Sequence, residues 1–325
     1  MTALDVLPFL HGCTGIYEID GLRGFSRFTA EELEYYSLRS DADFVRSHAP
    51  AGMYLEFMTD APEISFTYRL YRARGFYVMT SGFDIWENGI FSANYAVDPE
   101  CSDEVTVTYR RKSAEASVVR IYFPSGCVVL PVSFSLGHAA MPDSGSRKSK
   151  RILFCGDSIT QSAYIPTPSL SWYAFAADAL NAEYVNRGIG SMIFDPESLP
   201  THDDYAPDYV FIEYGSNDLG KVPDNETALS SAKAWLVKMC GLYPEAQKIC
   251  ILPDFTPCGR EEAQIRQDSY CAELNRICAD FGIPAFSSAP LIPNLDVMFC
   301  ADHVHFSEAG SAVFANRLLE AMKEI

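Results

Sequence analysis

Arg151-Ile152-Leu153-Phe154-Cys155-Gly156-Asp157-Ser158-Ile159-Thr160 is an apolar run that stops in a cluster of turn formers. Such a run predicts a strand covered on both faces, and Gly-Asp-Ser predicts the sharp turn that ends it. The same grammar repeats downstream. A helix over Ser171–Asn181 precedes Tyr184-Val185-Asn186, and strand Tyr209–Tyr214 precedes a helix over Ala228–Leu242. Strand Lys248–Leu252, a helix over Glu261–Phe281, strand Pro284–Phe286 and a helix over Ser307–Glu324 complete the series. Apolar strands alternating with amphipathic helices predict an α/β fold built on a parallel sheet, whose ligands bind beyond the carboxyl ends of the strands.

Upstream the pattern changes in kind. Met53–Met58, Ile64–Leu70, Glu104–Tyr109, Val118–Phe123 and Val128–Phe134 are short runs of β-branched and aromatic residues with period two, hence strands. Only Thr29-Ala30-Glu31-Glu32 opens a helical pattern, with Thr29 and Glu32 placed as a capping box. The expectation is an antiparallel β-sandwich, jelly-roll-like, over residues 1–140 and an α/β domain over 150–325. The Gly-, Ser- and charge-rich stretch between Leu136 and Arg151 is the boundary. One large domain is the alternative for a chain of 325 residues.

With 48% apolar and 21% charged residues the chain has ample core and reads as a folded soluble protein. Acidic residues outnumber basic ones 43 to 25, and both halves are acidic: 19 against 11 over 1–145, 24 against 14 over 146–325. A net charge of −18 without a basic patch disfavours nucleic acid and anionic membrane as partners. The first ten residues hold Asp5 and Pro8 and no basic residue, unlike a signal peptide, and no transmembrane run occurs. Ten cysteines lack paired spacing, and several, such as Cys155 and Cys250, sit in apolar segments; reduced thiols and a cytoplasmic location are the expectation.

Polar clusters follow three predicted strands: Gly156-Asp157-Ser158, Asn186-Arg187-Gly188-Ile189-Gly190-Ser191 and Gly215-Ser216-Asn217-Asp218. A fourth, Asp302-His303-Val304-His305, precedes the last helix. Ester hydrolysis by a serine needs a hydroxyl on a sharp turn, an imidazole to take its proton, a carboxylate to orient the imidazole, and donors for the oxyanion. All four parts are present. In order and spacing these clusters resemble the four blocks of the SGNH (GDSL-type) hydrolase family over residues 150–325. The resemblance implies a flavodoxin-like three-layer α/β/α fold, with Ser158 as nucleophile, His305 as base, Asp302 as its orienting carboxylate and Asn217 as a side-chain oxyanion donor. The amide of Ser158 is a second expected donor. A third comes from the turn that holds Gly188, Gly190 and Ser191, where Ser191 stands at the position the family commonly gives to glycine. Gly310 agrees with the family's closing glycine.

Gly82-Phe83-Asp84-Ile85-Trp86 and Tyr122-Phe123-Pro124 resemble, more briefly, a β-sandwich domain that precedes the catalytic domain in two-domain members of that family, carbohydrate acetylesterases among them. A small-molecule or oligosaccharide ester is then the expected substrate, with no cofactor, and Trp86 and Trp172 are candidate substrate-binding residues.

Blander readings stand beside these. Gly156-Asp157-Ser158 alone would only cap a helix; the order of all four blocks is what carries chemistry. Asp302, His303 and His305 near Cys300 could ligate zinc, although no HExxH or paired-cysteine pattern completes such a site. His202-Asp203-Asp204 reads as a solvated loop, and no Gly-x-Ser-x-Gly elbow occurs. Other functions in play are a lipid esterase, a small-molecule acyltransferase and a non-catalytic carbohydrate-binding protein.

Overall fold

The computed structural model describes residues 1–71, 81–98, 101, 103–140, 148–254 and 261–324. The chain forms two compact units: Met1–Ser149 with Tyr164–Ser169, and Lys150–Ala163 with Leu170–Ile325. The second half of the chain thus lends six residues, just beyond the Gly-Asp-Ser turn, to the first unit. The boundary stretch falls partly on residues 141–147, which lie outside the described residues, as does Cys258.

In the first unit β1 (Leu10–His11), β4 (Tyr54–Thr59), β6 (Gly82–Glu87), β7 (Ile90–Ala96) and β9 (Ser117–Tyr122) form one antiparallel sheet in the order β1-β4-β9-β6-β7. A second sheet has β5 (Glu63–Leu70) between β8 (Val105–Arg110) and β10 (Val129–Ser135), and β2 (Gly15–Ile19) pairs with β3 (Leu22–Ser26) as a hairpin. Alternation decides which side chains go inside: Ile64, Phe66, Tyr68 and Leu70 of β5 are buried while the residues between them are not. Their rings meet Phe83 of the other sheet at 4.7 Å from Phe66 and 4.9 Å from Tyr68. This is the β-sandwich expected from period two.

Helix α1 (Ala30–Arg39) starts at the expected capping box: the Glu32 amide donates to Thr29 Oγ1 at 3.2 Å and the Thr29 amide to Glu32 Oε2 at 2.8 Å. It is not the only helix of its unit. α2 (Asp41–His48) follows at once because Ser40 caps it, accepting from the Asp43 amide at 3.0 Å.

Gly82–Trp86, singled out in the sequence, is strand β6 and grips the segment 164–169. Asp84, fully buried, accepts from the Ser169 amide at 2.8 Å, the Ser169 hydroxyl at 2.6 Å and Asn94 Nδ2 at 2.7 Å. The Gly82 amide donates to the Pro166 carbonyl at 3.0 Å and Trp86 Nε1 to Ser169 Oγ at 2.9 Å.

In the second unit β11 (Lys150–Gly156), β12 (Ala182–Gly188), β13 (Tyr209–Glu213), β14 (Gln247–Leu252) and β15 (Ala285–Ser287) form a wholly parallel sheet in the order β12-β11-β13-β14-β15. That is the 2-1-3-4-5 order of flavodoxin-like folds, with the chain reversing direction across the sheet between β11 and β13. α3 (Ser158–Gln161), α4 (Trp172–Ala179), α5 (Ser216–Lys221), α6 (Asn225–Leu242), α7 (Glu261–Asp280) and α8 (Glu308–Met322) complete the unit; α4 packs on α8 and α6 on α7. Phe154 and Phe211 are register partners and stack at 5.2 Å. Trp172 sits edge-on to Phe154, Phe211 and Phe314 at 5.1–6.2 Å and is 1% exposed. The expectation that Trp172 lines a cleft is therefore corrected: the first turn of α4 faces the sheet, and the indole fills the layer between them.

Candidate active site

The three polar clusters that follow strands come together because β11, β12 and β13 are adjacent and end in register, Gly156 opposite both Gly188 and Glu213. Asp157 caps α3 with Oδ1 accepting from the Ile159 amide at 3.0 Å, so that Ser158 is the first residue of a one-turn helix. Close approach fixes the two glycines. A Cβ on Gly156 would lie 2.2 Å from Thr160 Oγ1, and one on Gly188 would lie 2.4 Å from the Gln161 amide nitrogen. Asn186 ties the same turn, donating from Nδ2 to the Thr160 carbonyl at 2.7 Å.

Ser158, His305 and Asp302 form one hydrogen-bonded series. His305 Nε2 lies 2.7 Å from Ser158 Oγ, and His305 Nδ1 lies 2.5 Å from Asp302 Oδ2. The other Asp302 oxygen accepts from the amides of Val304 and His305 at 3.0 and 3.1 Å. Partial burial pushes the Asp302 carboxyl up, but the hydrogen bonds from the His305 ring and those two amides outweigh it and hold the group below its ordinary range. A carboxylate held ionised on Nδ1 leaves Nε2 unprotonated toward Ser158, the tautomer a general base requires.

Of the amides in the turn after β12, four are committed. Gly188 donates to Asn186 Oδ1, Ile189 to the Gly156 carbonyl, Gly190 to Gln161 Oε1 and Met192 to the Ile189 carbonyl, at 2.7–3.1 Å. Ser191, with φ of +68°, is different: among the described residues its amide has no acceptor. The expectation that Gly188 or Gly190 supplies the donor is therefore corrected, since both amides are used to hold the turn. Ser158, at the head of α3, likewise has an amide without an acceptor among the described residues. Asn217 Nδ2 spends one N–H on Asp157 Oδ2 at 2.8 Å, which leaves the second.

His303 is exposed, in the left-handed region at φ +56°, with Nδ1 3.8 Å from Asp296. Both ring nitrogens of His305 are taken by Ser158 and Asp302, so it has none to offer a metal in this arrangement. Among the described residues no group of three or more His, Cys, Asp or Glu is placed to share a metal ion. Trp86 belongs to the first unit, with its ring edge-on to Phe91 at 5.6 Å.

Some structure escaped the sequence reading. Asp203 is not solvated: its carboxylate is buried against Arg187 Nη2 at 2.7 Å and accepts from Tyr243 Oη. Asp218 accepts from the Phe194 amide at 3.2 Å, and burial pushes its carboxyl up to about 7. The signal for Asp203 was Arg187, a charge inside the apolar frame of β12. Asp218 lay in the third cluster, unassigned.

Residues 154–313 match the GDSL-like Lipase/Acylhydrolase family. No curated protein matches the chain. Among solved structures the chain is similar to the salicylyl-acyltransferase SsfX3 from a tetracycline biosynthetic pathway (14% identity, TM-score 0.80, 98% of this chain and 95% of that one). It is also similar to a putative GDSL-like lipase from Bacteroides ovatus (14%, 0.78, 97% and 94%) and to a family two carbohydrate esterase from Clostridium thermocellum in complex with cellohexaose (18%, 0.63, 84% and 91%). At such identities these likenesses show a shared fold. Residues 154–313 thus bear the pattern of the GDSL-like lipase/acylhydrolase family, and with it the chain is an ester-hydrolysing enzyme.

Proposed function

We propose that the protein is a serine esterase that removes short acyl groups, O-acetyl foremost, from carbohydrate. The observation that carries the serine mechanism is the single imidazole of His305 between Ser158 Oγ and Asp302 Oδ2, at 2.7 and 2.5 Å. Ser158 Oγ attacks the ester carbonyl while His305 Nε2 takes its proton and passes it to the leaving alkoxide; water then repeats the cycle on the acyl-enzyme. Asp302 holds the ring and offsets the imidazolium charge. The oxyanion is received by the amides of Ser158 and Ser191 and the second N–H of Asn217, each such donor contributing on the order of 3 kcal/mol in serine hydrolases.

The carbohydrate reading draws support from the likeness to family two carbohydrate esterases, one of them in complex with cellohexaose. The β-sandwich ahead of the catalytic unit and the acidic charge, which suits neither nucleic acid nor anionic lipid, agree with it. Among the described residues no helix is long and apolar enough to cross a membrane. The nine described cysteines are all free, which supports a reducing compartment such as the cytoplasm.

A second reading, transfer of the acyl group to an alcohol of a small molecule, is favoured by the likeness to the salicylyl-acyltransferase over nearly the whole chain. The test is a panel of O-acetylated oligosaccharides beside acetate, butyrate and octanoate esters of one alcohol, with and without a competing alcohol acceptor. Release of acetate from oligosaccharide with kcat/KM falling along the ester series is expected. A steady rise through octanoate overturns the carbohydrate reading, and preferential capture by the alcohol replaces hydrolysis with transfer. Failure of a fluorophosphonate to label Ser158 overturns the serine mechanism.

A further inference from the structure

Tyr209-Val210-Phe211-Ile212-Glu213 is an apolar strand apart from its last residue, and a carboxyl group at the end of a covered sheet requires a partner. Register places Glu213 beside Gly156, its carbonyl accepts from the Asp157 amide at 3.1 Å, and its side chain reaches Thr160 in the turn that carries Asp157 and Ser158. Both carboxyls are buried, Asp157 at 1% and Glu213 at 3% exposure. Asp157 accepts two N–H groups, from Ile159 at 3.0 Å and Asn217 Nδ2 at 2.8 Å; Glu213 Oε2 accepts the Thr160 hydroxyl at 2.8 Å. Among the described residues neither carboxyl forms an ion pair with a lysine or arginine.

Two carboxylates desolvated together without a cation do not both ionise; the pair keeps a proton. The charge belongs on Asp157, which two N–H donors already solvate, and the proton on Glu213. We propose that Glu213 is a positioning residue: as a neutral carboxylic acid it donates its proton to Asp157, and the carboxylate so fixed holds the Asn217 amide at the oxyanion pocket. Burial first, and then the Asp157 charge, push the Glu213 carboxyl well above its ordinary value, and burial raises Asp157 as well. The titratable groups facing the pair are His305 from the loop before α8, Asp218 on α5 and Cys250 on β14. The nearby His305 opposes the effect of burial and favours the ionised form of Asp157, so the charge of the pair rests on the carboxyl that holds Asn217.

The inference rests on Ser158 acting as nucleophile. Its test compares pH profiles of wild type, E213A and E213Q on p-nitrophenyl acetate. E213A is expected to lower kcat by roughly 10- to 100-fold with KM changed by less than about twofold, because a loosened donor is misplaced in the transition state. E213Q still offers an N–H to Asp157 and is expected to restore kcat to within about fivefold. Wild type is expected to lose kcat/KM at the alkaline end as the pair gives up its proton, and E213Q to lack that limb. Infrared spectra near neutral pH supply a readout that does not need E213A to fold: a protonated-carboxyl band absent in E213Q, with D218N identifying the band of Asp218. Wild-type kcat in E213A, E213Q as impaired as E213A, an alkaline limb that survives in E213Q, or a band unchanged in E213Q would each overturn the inference. An active S158A enzyme removes the serine mechanism itself, whereas an inactive S158A beside a fully active E213A removes only this inference.

Discussion

The carboxyl groups buried around Ser158 are held in the opposite way to the ion-paired ones buried in the β-sandwich. In the β-sandwich Glu87 lies 3.3 Å from Arg111 Nε, both side chains almost wholly covered, and Glu56 pairs with Arg120. Burial raises Glu87, but hydrogen bonds from the Lys112 amide, Tyr109 and Ser117 reverse it and hold the group ionised below its usual range. In the α/β unit Asp203 keeps the same rule with Arg187, but Asp157 and Glu213 at the strand ends and Asp218 on α5 have no ion pair among the described residues, and burial drives all three up. A buried charge with its counter-ion is part of a unit's scaffold; buried acids without one are tolerated only where surrounding structure compels them, here around Ser158.

If the strand-end cluster exists for chemistry, the largest effects come from its smallest changes. S158A removes one oxygen and is expected to reduce kcat/KM by on the order of 10⁴–10⁶-fold. Its thermal unfolding should stay within about 2 °C of wild type, because surface-side truncations cost little. D302N is expected to be milder, about 10⁴-fold, since Asp302 acts through His305 and does not touch the acyl group. Steady-state kinetics on p-nitrophenyl acetate with parallel thermal scans measure both. A D302N enzyme as active as wild type would remove Asp302 from the series.

Breaking the scaffold pair should do the reverse. E87Q leaves Arg111 buried without its counter-charge, and a loss of about 3 kcal/mol from the first unit is expected, read from urea unfolding, with kcat for a small ester little changed. Asp218 offers the opposite sign. Its carboxyl titrates at about 7 in the folded protein against an ordinary value of 3.8. The protonated form is the one the fold favours, so its contribution is complete below about pH 4 and is lost as pH rises toward 7. D218N is expected to flatten that decline, with a gain relative to wild type of up to about 4 kcal/mol at pH 8 and little at pH 4, measured by unfolding at both. A D218N protein that tracks wild type at every pH would show Asp218 to be ionised without penalty.

The four clusters were legible because each is a few contiguous residues at a strand end, where turn chemistry and reaction chemistry select the same residue types. Period two announces the sandwich but not β6 or β7, because β6 is buried on both faces and β7 is largely exposed, so neither alternates cleanly. The pairing of Asp157 with Glu213 was not legible: it depends on the register that sets Gly156 beside Glu213, and a one-dimensional pattern does not contain register. The charge closing an apolar strand was the available hint. The burial of Trp172 is not legible either, because its nearness to Ser158 along the chain says nothing of which face of α4 meets the sheet. Asp203, bracketed by His202 and Asp204, reads as surface until Arg187 is known to reach it. That residues 164–169 join the first unit follows from Asp84 and Gly82, some 80 positions away in sequence.

Ser191 gives the finest test, because it is the one place where the chain departs from the block it resembles. Its φ of +68° lies in the left-handed region, where a non-glycine residue carries strain of about 1 kcal/mol, and its amide is the unengaged donor of the turn. The carbonyl of Ser191 accepts from Lys221 Nζ, which helps keep the peptide in place. S191G retains that amide and removes the strain, but it also frees the unfolded chain, so the two effects on stability nearly cancel. The expected outcome is a melting temperature within about 2 °C of wild type and kcat on acetate esters within about threefold. The discriminating quantity is chain length: if the Ser191 side chain narrows the acyl pocket, S191G should raise kcat/KM for butyrate relative to acetate by roughly the worth of one or two newly admitted methylenes, about 0.8 kcal/mol each. Identical acyl preference in S191G and wild type would show that the serine is tolerated at this turn without shaping the pocket, and the choice between acetyl and longer acyl groups would then lie in other residues.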